Sequence, residues 1–167
     1  MAAFAAEGEA LSGATPLQNM ERLAQESIGL QADLMVNWRA TAELRPGAAT
    51  EDDIWLYLTA NTNLPLTCQR CLRVVDTPLQ VDQWYRFVAT EEIAMAEDDE
   101  AEEDLLVMEP QFDLLALLED ELLMALPVVP MHEHCPSEPP TQAEVPDVGI
   151  TDEKPNPFAV LAQLKKK

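Results

Sequence analysis

The chain has 167 residues, with 31 acidic and 10 basic side chains and a formal net charge of -21. This length suits one domain with a true core. The negative field repels phosphate backbones, so nucleic-acid binding cannot depend on the global charge. No run reaches the roughly 20 apolar residues that cross a bilayer. Three cysteines and the absence of a signal-peptide pattern favour a soluble protein of the reducing cytoplasm.

The N-terminal part of the chain combines a helical and an extended pattern. The first dozen residues are alanine-rich and weakly patterned, whereas Leu17, Met20 and Leu23 have the spacing of a short amphipathic helix over residues 16–25. From residue 33 apolar side chains recur at every second position, which predicts a half-buried strand that ends at residues 45–47. The apolar face of this strand consists of Leu34, Val36, Trp38, Ala40, Ala42 and Leu44.

Two further predicted strands flank a pair of cysteines. Residues 54–58 alternate, and the pattern continues past Pro65 to Cys68. After Cys71 the alternation returns over residues 79–87. The two cysteines are therefore predicted to lie at the tip of a hairpin.

An acidic run separates the third strand from the main helix. Residues 91–104 hold nine carboxylates and no basic residue, which predicts a solvated acidic loop over residues 89–104. Beyond it, Asp113 can cap an apolar helix over residues 114–124. Pro127 cannot continue that helix and is expected to terminate it.

The C-terminal residues change composition again. Residues 136–156 are rich in proline and predict a flexible linker. Residues 157–167 regain helical spacing and end in three lysines that suit a helix C-terminus, which predicts a tethered docking segment. Its apolar residues are Phe158, Leu161 and Leu164, and its lysines are Lys165, Lys166 and Lys167.

The fold predicted from these patterns is α+β. Residues 1–135 form a single domain built on an antiparallel sheet that can curl into a small barrel. One main helix follows the acidic loop, and a helical segment is tethered at the C-terminus.

The cysteine pair Cys68-Gln69-Arg70-Cys71 is compatible with more than one chemistry. Zinc prefers about four Cys or His ligands, and the chain's other candidates are clustered at His132, His134 and Cys135. The sequence therefore predicts a zinc site drawn from these five residues, with the fourth ligand left open.

Two alternatives to zinc use the same residues. Thioredoxin-like redox pairs also have the C-x-x-C spacing, but they lie between a strand and a helix, and here the pair joins two strands. Neighbouring Arg70 and Arg73 would lower thiol pKa values, which keeps reactivity open. The cysteines can also be small packing residues, with the histidines solvated.

Three separated motifs resemble the YceD family, the bacterial large ribosomal RNA subunit accumulation proteins. They are CQRC at residues 68–71, LPVVP at 126–130 with His132 and Cys135 beyond it, and KPNPFAVLA at 154–162. The resemblance implies a role in synthesis, processing or stability of 23S ribosomal RNA, without a known catalytic activity. It also implies extra cysteines in other members where this chain has histidines, in agreement with a metal site.

The resemblance and the local charges together predict a ribosome-biogenesis factor that is not an enzyme. Its expected partners are pre-ribosomal large-subunit RNA and large-subunit ribosomal proteins. RNA would contact Arg70, Arg73 and Arg86 with the C-terminal lysines, and the apolar residues of the docking segment would bind a protein. A phosphate-binding loop is absent from the sequence, and the acidic run suits a solvated surface better than paired-acid catalysis.

Two other functions remain open from the sequence. The acidic run could mimic RNA charge, so the chain would be an acidic, chaperone-like protein that shields a basic ribosomal protein. The C-x-x-C pair could instead serve a thiol oxidoreductase.

Overall fold

A computed structural model describes residues 1–29, 33–47 and 52–136. Five strands form one sheet in chain order: β1 (Ala10–Pro16), β2 (Met35–Pro46), β3 (Asp52–Thr67), β4 (Val74–Val88) and β5 (Asp104–Val107). The first four strands are antiparallel to their neighbours, and β5 runs parallel to β4.

Within the described residues, four helices accompany the sheet: α1 (Ala2–Glu7), α2 (Glu21–Glu26), α3 (Glu91–Glu97) and α4 (Leu114–Met124). A single 3-10 turn, Leu17–Asn19, precedes α2. The predicted α+β class is confirmed.

Within the described residues the sheet is open and does not close into the small barrel that the sequence allowed. Its order begins with β1 and ends with β5, and within the described residues these two edge strands do not pair with each other. Helices supply the second layer of the core, since Leu17, Leu23, Leu118 and Leu122 are buried in the same cluster as one face of the sheet. A helical layer makes closure unnecessary for burying that face.

The two-residue period of the strands fixes which face is buried. Antiparallel register places Leu58 opposite Ala40 on β2, and Leu56 opposite Tyr85 on β4. All four side chains lie in the core. Because side chains alternate along a strand, the intervening residues of β3, such as Trp55 and Tyr57, lie on the opposite face. The predicted strands β2, β3 and β4 are confirmed, and β3 is longer than its alternation alone indicated.

The main helix begins and ends where the sequence indicates. One carboxylate oxygen of Asp113 accepts hydrogen bonds from the backbone N–H groups of Leu115 (2.9 Å) and Ala116 (3.1 Å). This side chain satisfies donors that an uncapped helix would leave free. The helix ends at Met124, three residues before Pro127.

Four elements were not predicted from the sequence: α1, β1, α3 and β5. The weakly patterned N-terminus contains α1 and β1. The acidic run is not a loop throughout, because α3 occupies Glu91–Glu97. The Thr90 side chain accepts a hydrogen bond from the N–H of Ile93, and Glu91 and Glu92 lie in the first turn. Acidic side chains are favourable there because the N-terminal end of a helix carries partial positive charge.

No helix among the described residues is long and apolar enough to cross a membrane. The predicted linker, residues 136–156, lies outside the described residues except for its first residue. The predicted docking segment, residues 157–167, lies wholly outside them.

Glu119 of α4 connects α4 to α2 through hydrogen bonds. One of its carboxylate oxygens accepts hydrogen bonds from the backbone N–H groups of Arg22 (2.7 Å) and Leu23 (3.1 Å). The residue that precedes α2, Met20, makes no side-chain cap. Glu119 therefore caps α2 from a distance of 96 residues along the chain.

We expect Glu119→Ala to lower the free energy of unfolding by about 1–3 kcal/mol, because two N–H groups lose their acceptor. The side chain is 12% exposed, so water replaces it poorly. Urea unfolding followed by circular dichroism measures the change. The neighbouring Asp120, 54% exposed, pairs only with the Arg22 side chain, and Asp120→Ala should change stability little. Equal effects of the two substitutions would contradict the capping role.

Candidate metal centre

The β3–β4 hairpin ends in a tight loop that presents the cysteine pair. Thr67 pairs with Val74, which leaves residues 68–73 to make the turn. The N–H of Cys68 donates to the carbonyl of Arg73 (2.8 Å), and the N–H of Leu72 donates to the carbonyl of Cys68 (2.9 Å). Leu72 has a φ of 58°, in the left-handed region that a leucine rarely adopts. The loop's hydrogen bonds thus hold a strained backbone at the tip.

The chain after α4 returns to this loop and is attached to it by two hydrogen bonds. The backbone N–H of Gln69 donates to the carbonyl of Pro130 (2.9 Å). The guanidinium of Arg70 donates to the carbonyl of His132 (2.7 Å). These bonds explain how residues 62 positions apart along the chain lie side by side. The contact between the Arg70 guanidinium and the His132 carbonyl could not be predicted from the sequence, because no sequence pattern identifies a backbone carbonyl as a hydrogen-bond partner.

Four side chains converge where the two segments meet. Cys68, Cys71, His132 and Cys135 each offer one ligand atom, and all four atoms lie within 4.8 Å of one another. The Sγ atoms of Cys68 and Cys135 are 3.9 Å apart, and Cys71 Sγ is 3.5 Å from His132 Nδ1. The three cysteines are free thiols in the structure.

These separations match those of a tetrahedral zinc site. Zn–S bonds of about 2.3 Å and Zn–N bonds of about 2.0–2.1 Å place two sulfurs about 3.8 Å apart, and a sulfur and a nitrogen about 3.6 Å apart. The measured 3.9 Å and 3.5 Å lie close to both values. The donor set of three sulfurs and one imidazole is one that zinc favours. The residues present therefore fit a zinc ion.

The thiol of Cys68, which is buried, and that of Cys135, which is partly exposed, differ in their readiness to lose a proton. Burial opposes ionisation of Cys68, but hydrogen bonds from the backbone at His132, Cys71 and Arg70 outweigh it and lower the pKa of the Cys68 thiol to about 5. Burial, together with hydrogen bonds to the neighbouring Cys71 and Cys68, raises the pKa of Cys135 to about 11. The backbone of the loop is thus arranged to stabilise negative charge on Cys68, as a metal-ligating thiolate requires.

The structure selects among the five predicted ligands. It brings together Cys68, Cys71, His132 and Cys135, and the group does not include His134, which is exposed. The ligand spacing is therefore C-x-x-C followed by H-x-x-C. Sequence alone left the histidine open because both imidazoles lie within three residues of Cys135, and only the path of the chain decides which one faces the loop.

The predicted RNA-contacting arginines do not form one patch. Arg70 and Arg73 are exposed on the β3–β4 hairpin loop. Arg86 lies on β4, only 16% exposed, and its guanidinium donates to Glu103 (2.6 Å) and Glu97 (2.8 Å). A cation satisfied by two carboxylates is poorly placed to bind phosphate as well. Lys165, Lys166, Lys167, Phe158, Leu161 and Leu164 lie outside the described residues.

Comparison with known proteins agrees with the motifs. A family model described as "Large ribosomal RNA subunit accumulation protein YceD" matches residues 56–165, a span that contains all four converging ligands. The large ribosomal RNA subunit accumulation protein YceD of Haemophilus influenzae is 32% identical over 161 residues, covering 89% of this chain and 83% of its own length. No solved structure matches the chain. The chain belongs to the YceD family.

Proposed function

We propose that this protein is a noncatalytic ribosome-biogenesis factor. It acts in the cytoplasm on the synthesis, processing or stability of 23S ribosomal RNA. Family membership supports the connection with large-subunit RNA, since the Haemophilus relative carries that role in its name. The convergence of Cys68, Cys71, His132 and Cys135 is the structural observation that carries the proposal, because it builds a rigid, arginine-bearing loop.

The proposed metal is zinc, in a structural role. Four protein ligands complete a tetrahedral shell, so no coordination position is left for an activated water or a substrate. Zinc bound there would fasten the hairpin loop to the segment that follows α4. The hydrogen bonds from Gln69 to Pro130 and from Arg70 to His132 already hold the same two segments together. This arrangement supports a binding module more than an enzyme.

The loop is the proposed point of contact with pre-ribosomal RNA. Arg73 and Arg70 are exposed there, beside the exposed Leu72. Phosphate contacts supply most of the sequence-independent affinity for RNA, and a local cationic loop can make them although the whole chain is acidic. Fixing the loop in advance lowers the entropy lost when it binds.

We expect the chain, purified without chelator or histidine tag, to contain about one zinc per molecule. Cys68→Ser should reduce the metal content well below stoichiometry, because a hydroxyl is a poor zinc ligand. Inductively coupled plasma mass spectrometry measures the content, and chelation should lower the midpoint of urea unfolding. His134→Ala is the matched control and should keep the metal. Substoichiometric zinc that does not respond to Cys68→Ser would exclude the site.

The RNA contact is tested by immunoprecipitation from growing cells and sequencing of the bound RNA. We expect enrichment of 23S ribosomal RNA that falls several-fold with Arg73→Ala, because a phosphate contact is lost. Arg73 is the better choice than Arg70, whose guanidinium also holds the His132 carbonyl. Arg39→Ala, an exposed arginine on β2, removes the same charge elsewhere and serves as the control.

Two results would contradict this part of the proposal. Enrichment of neither 23S RNA nor large-subunit proteins would remove the role in biogenesis. Equal losses from Arg73→Ala and Arg39→Ala would remove the loop as the contact.

A second candidate function is an acidic, chaperone-like protein that shields a basic ribosomal protein. The favouring observation is the placement of acidic side chains from α3 and α4 around one apolar groove. In this function the carboxylates stand in for the phosphates that the basic partner later meets.

A further inference from the structure

A groove of about 560 Å³ lies between α3, β5 and α4. Its floor is apolar, and the side chains that form it come from all three elements. They are Ala94, Met95, Leu105, Leu106, Val107, Phe112, Ala116 and Leu117. The groove therefore presents apolar side chains beside polar ones at the edge of the sheet, and none of the candidate metal ligands lines it.

Part of this floor belongs to the core and part has no partner. Leu106, Phe112 and Leu117 pack against the buried cluster, so the base of the groove is firmly held. Met95, by contrast, is 74% exposed on the α3 side. An apolar side chain left open beside a firm apolar base is typical of a surface that a partner covers.

The rim of the groove is acidic. It carries the carboxylates of Glu91, Asp98, Glu109, Asp113 and Asp120, and none of the described residues that line the groove is basic. Asp113 caps α4 and Asp120 pairs with Arg22. Among the described residues, Glu91, Asp98 and Glu109 form no ion pair, so their charge is open to a ligand.

We infer that this groove binds a basic amphipathic segment of a partner protein. The apolar face of the segment covers the floor, and its lysine or arginine side chains reach the rim. Charge complementarity selects this occupant, because a phosphate backbone would meet the same carboxylates with repulsion. An uncharged apolar segment would leave the rim charges partly desolvated without partners.

This inference rests on the second candidate function, the shielding of a basic protein, and assigns that function a surface. It does not require zinc or an RNA contact at the arginine loop. Binding at the groove is measured with a synthetic peptide, whereas the role in biogenesis is measured by RNA recovery from cells. A failure of peptide binding at the groove can therefore be told apart from a failure of the proposed role in biogenesis.

The experiment uses the full isotope-labelled chain and a synthetic helical peptide of about four turns, with leucines on one face and lysines elsewhere. Nuclear magnetic resonance titration should shift the amide signals of α3, β5 and the start of α4. Calorimetry should give an affinity that falls as salt rises, since the rim charges are exposed. A peptide with glutamates in place of the lysines should not bind.

Matched variants test the acidic rim and the apolar floor of the groove separately. Replacing Glu91, Asp98 and Glu109 by their amides should weaken peptide binding roughly tenfold, since each rim charge steers and holds the cationic face. The same change at Glu7, Glu9 and Glu26, exposed acids that do not line the groove, alters the net charge equally and should have little effect. Met95→Ser should weaken binding, whereas Met124→Ser, at a residue 82% exposed and outside the groove, should not.

Three results would overturn the inference. One is equal weakening of peptide binding by the three substitutions in the groove and by the three control substitutions, which would mean that only the net charge matters. The second is the same pattern of shifted signals with a polyuridine oligonucleotide, which would make the groove an RNA site. The third is concentration-dependent shifts without any peptide, with dimers in sedimentation, which would make the occupant a second copy of the chain.

Discussion

The pairing of β3 with β4 is the constraint on which the rest of the molecule depends. This ladder runs without a break from Ile54 opposite Phe87 to Thr67 opposite Val74. Because its register is fixed by the buried face, a slip of one residue would expose Leu56, Leu58 and Tyr85 to water. The same register decides where the hairpin turns, and so where Cys68 and Cys71 lie. Hydrophobic burial along the whole strand pair therefore positions Cys68 and Cys71, and the segment after α4 brings His132 and Cys135 to them.

The distribution of charge gives the two ends of the domain different chemistry. At the hairpin tip, Arg70 and Arg73 stand free of carboxylate partners among the described residues. At the other end of β4, Arg86 is enclosed by Glu97 and Glu103 and neutralises part of the acidic run. A strongly acidic chain can therefore carry one cationic loop and one acidic groove, because exposed charges farther apart than about 10 Å interact weakly at ordinary ionic strength.

The elements predicted correctly from the sequence are those whose structure is determined by residues close together in the chain. Alternation identified β2, β3 and β4, and Asp113 marked the start of α4, because side-chain period and capping act over a few residues. It missed α1 and β1, whose alanine-rich residues carry little contrast between their faces. The prediction of a loop was wrong over Glu91–Glu97. There the cap by Thr90 and the helix dipole stabilise a short helix more than the repulsion between carboxylates destabilises it. The candidate ligands followed from counting cysteines and histidines, but the choice of His132 over His134 depends on the chain's path after α4. The groove depends on how α3, β5 and α4 pack together, which no local sequence pattern shows.

Helix α4 connects the acidic groove with the candidate metal centre. Burial of the middle of the helix keeps binding at one site from affecting binding at the other. Its first turn, capped by Asp113, lines the acidic groove, and the chain that leaves its last turn carries His132 and Cys135 to the hairpin. Between these ends Leu118 and Leu122 are fully buried against the sheet. Because the middle of α4 is buried, local unfolding at one end of the helix costs less free energy than moving the whole helix. A structural change at one end is therefore not passed on to the other. Metal binding at one end and peptide binding at the other should therefore be nearly additive in free energy, as is usual for sites that share no contacting side chain. The two proposed contacts, a basic segment at the groove and RNA at the arginine loop, use separate side chains, so neither requires the release of the other.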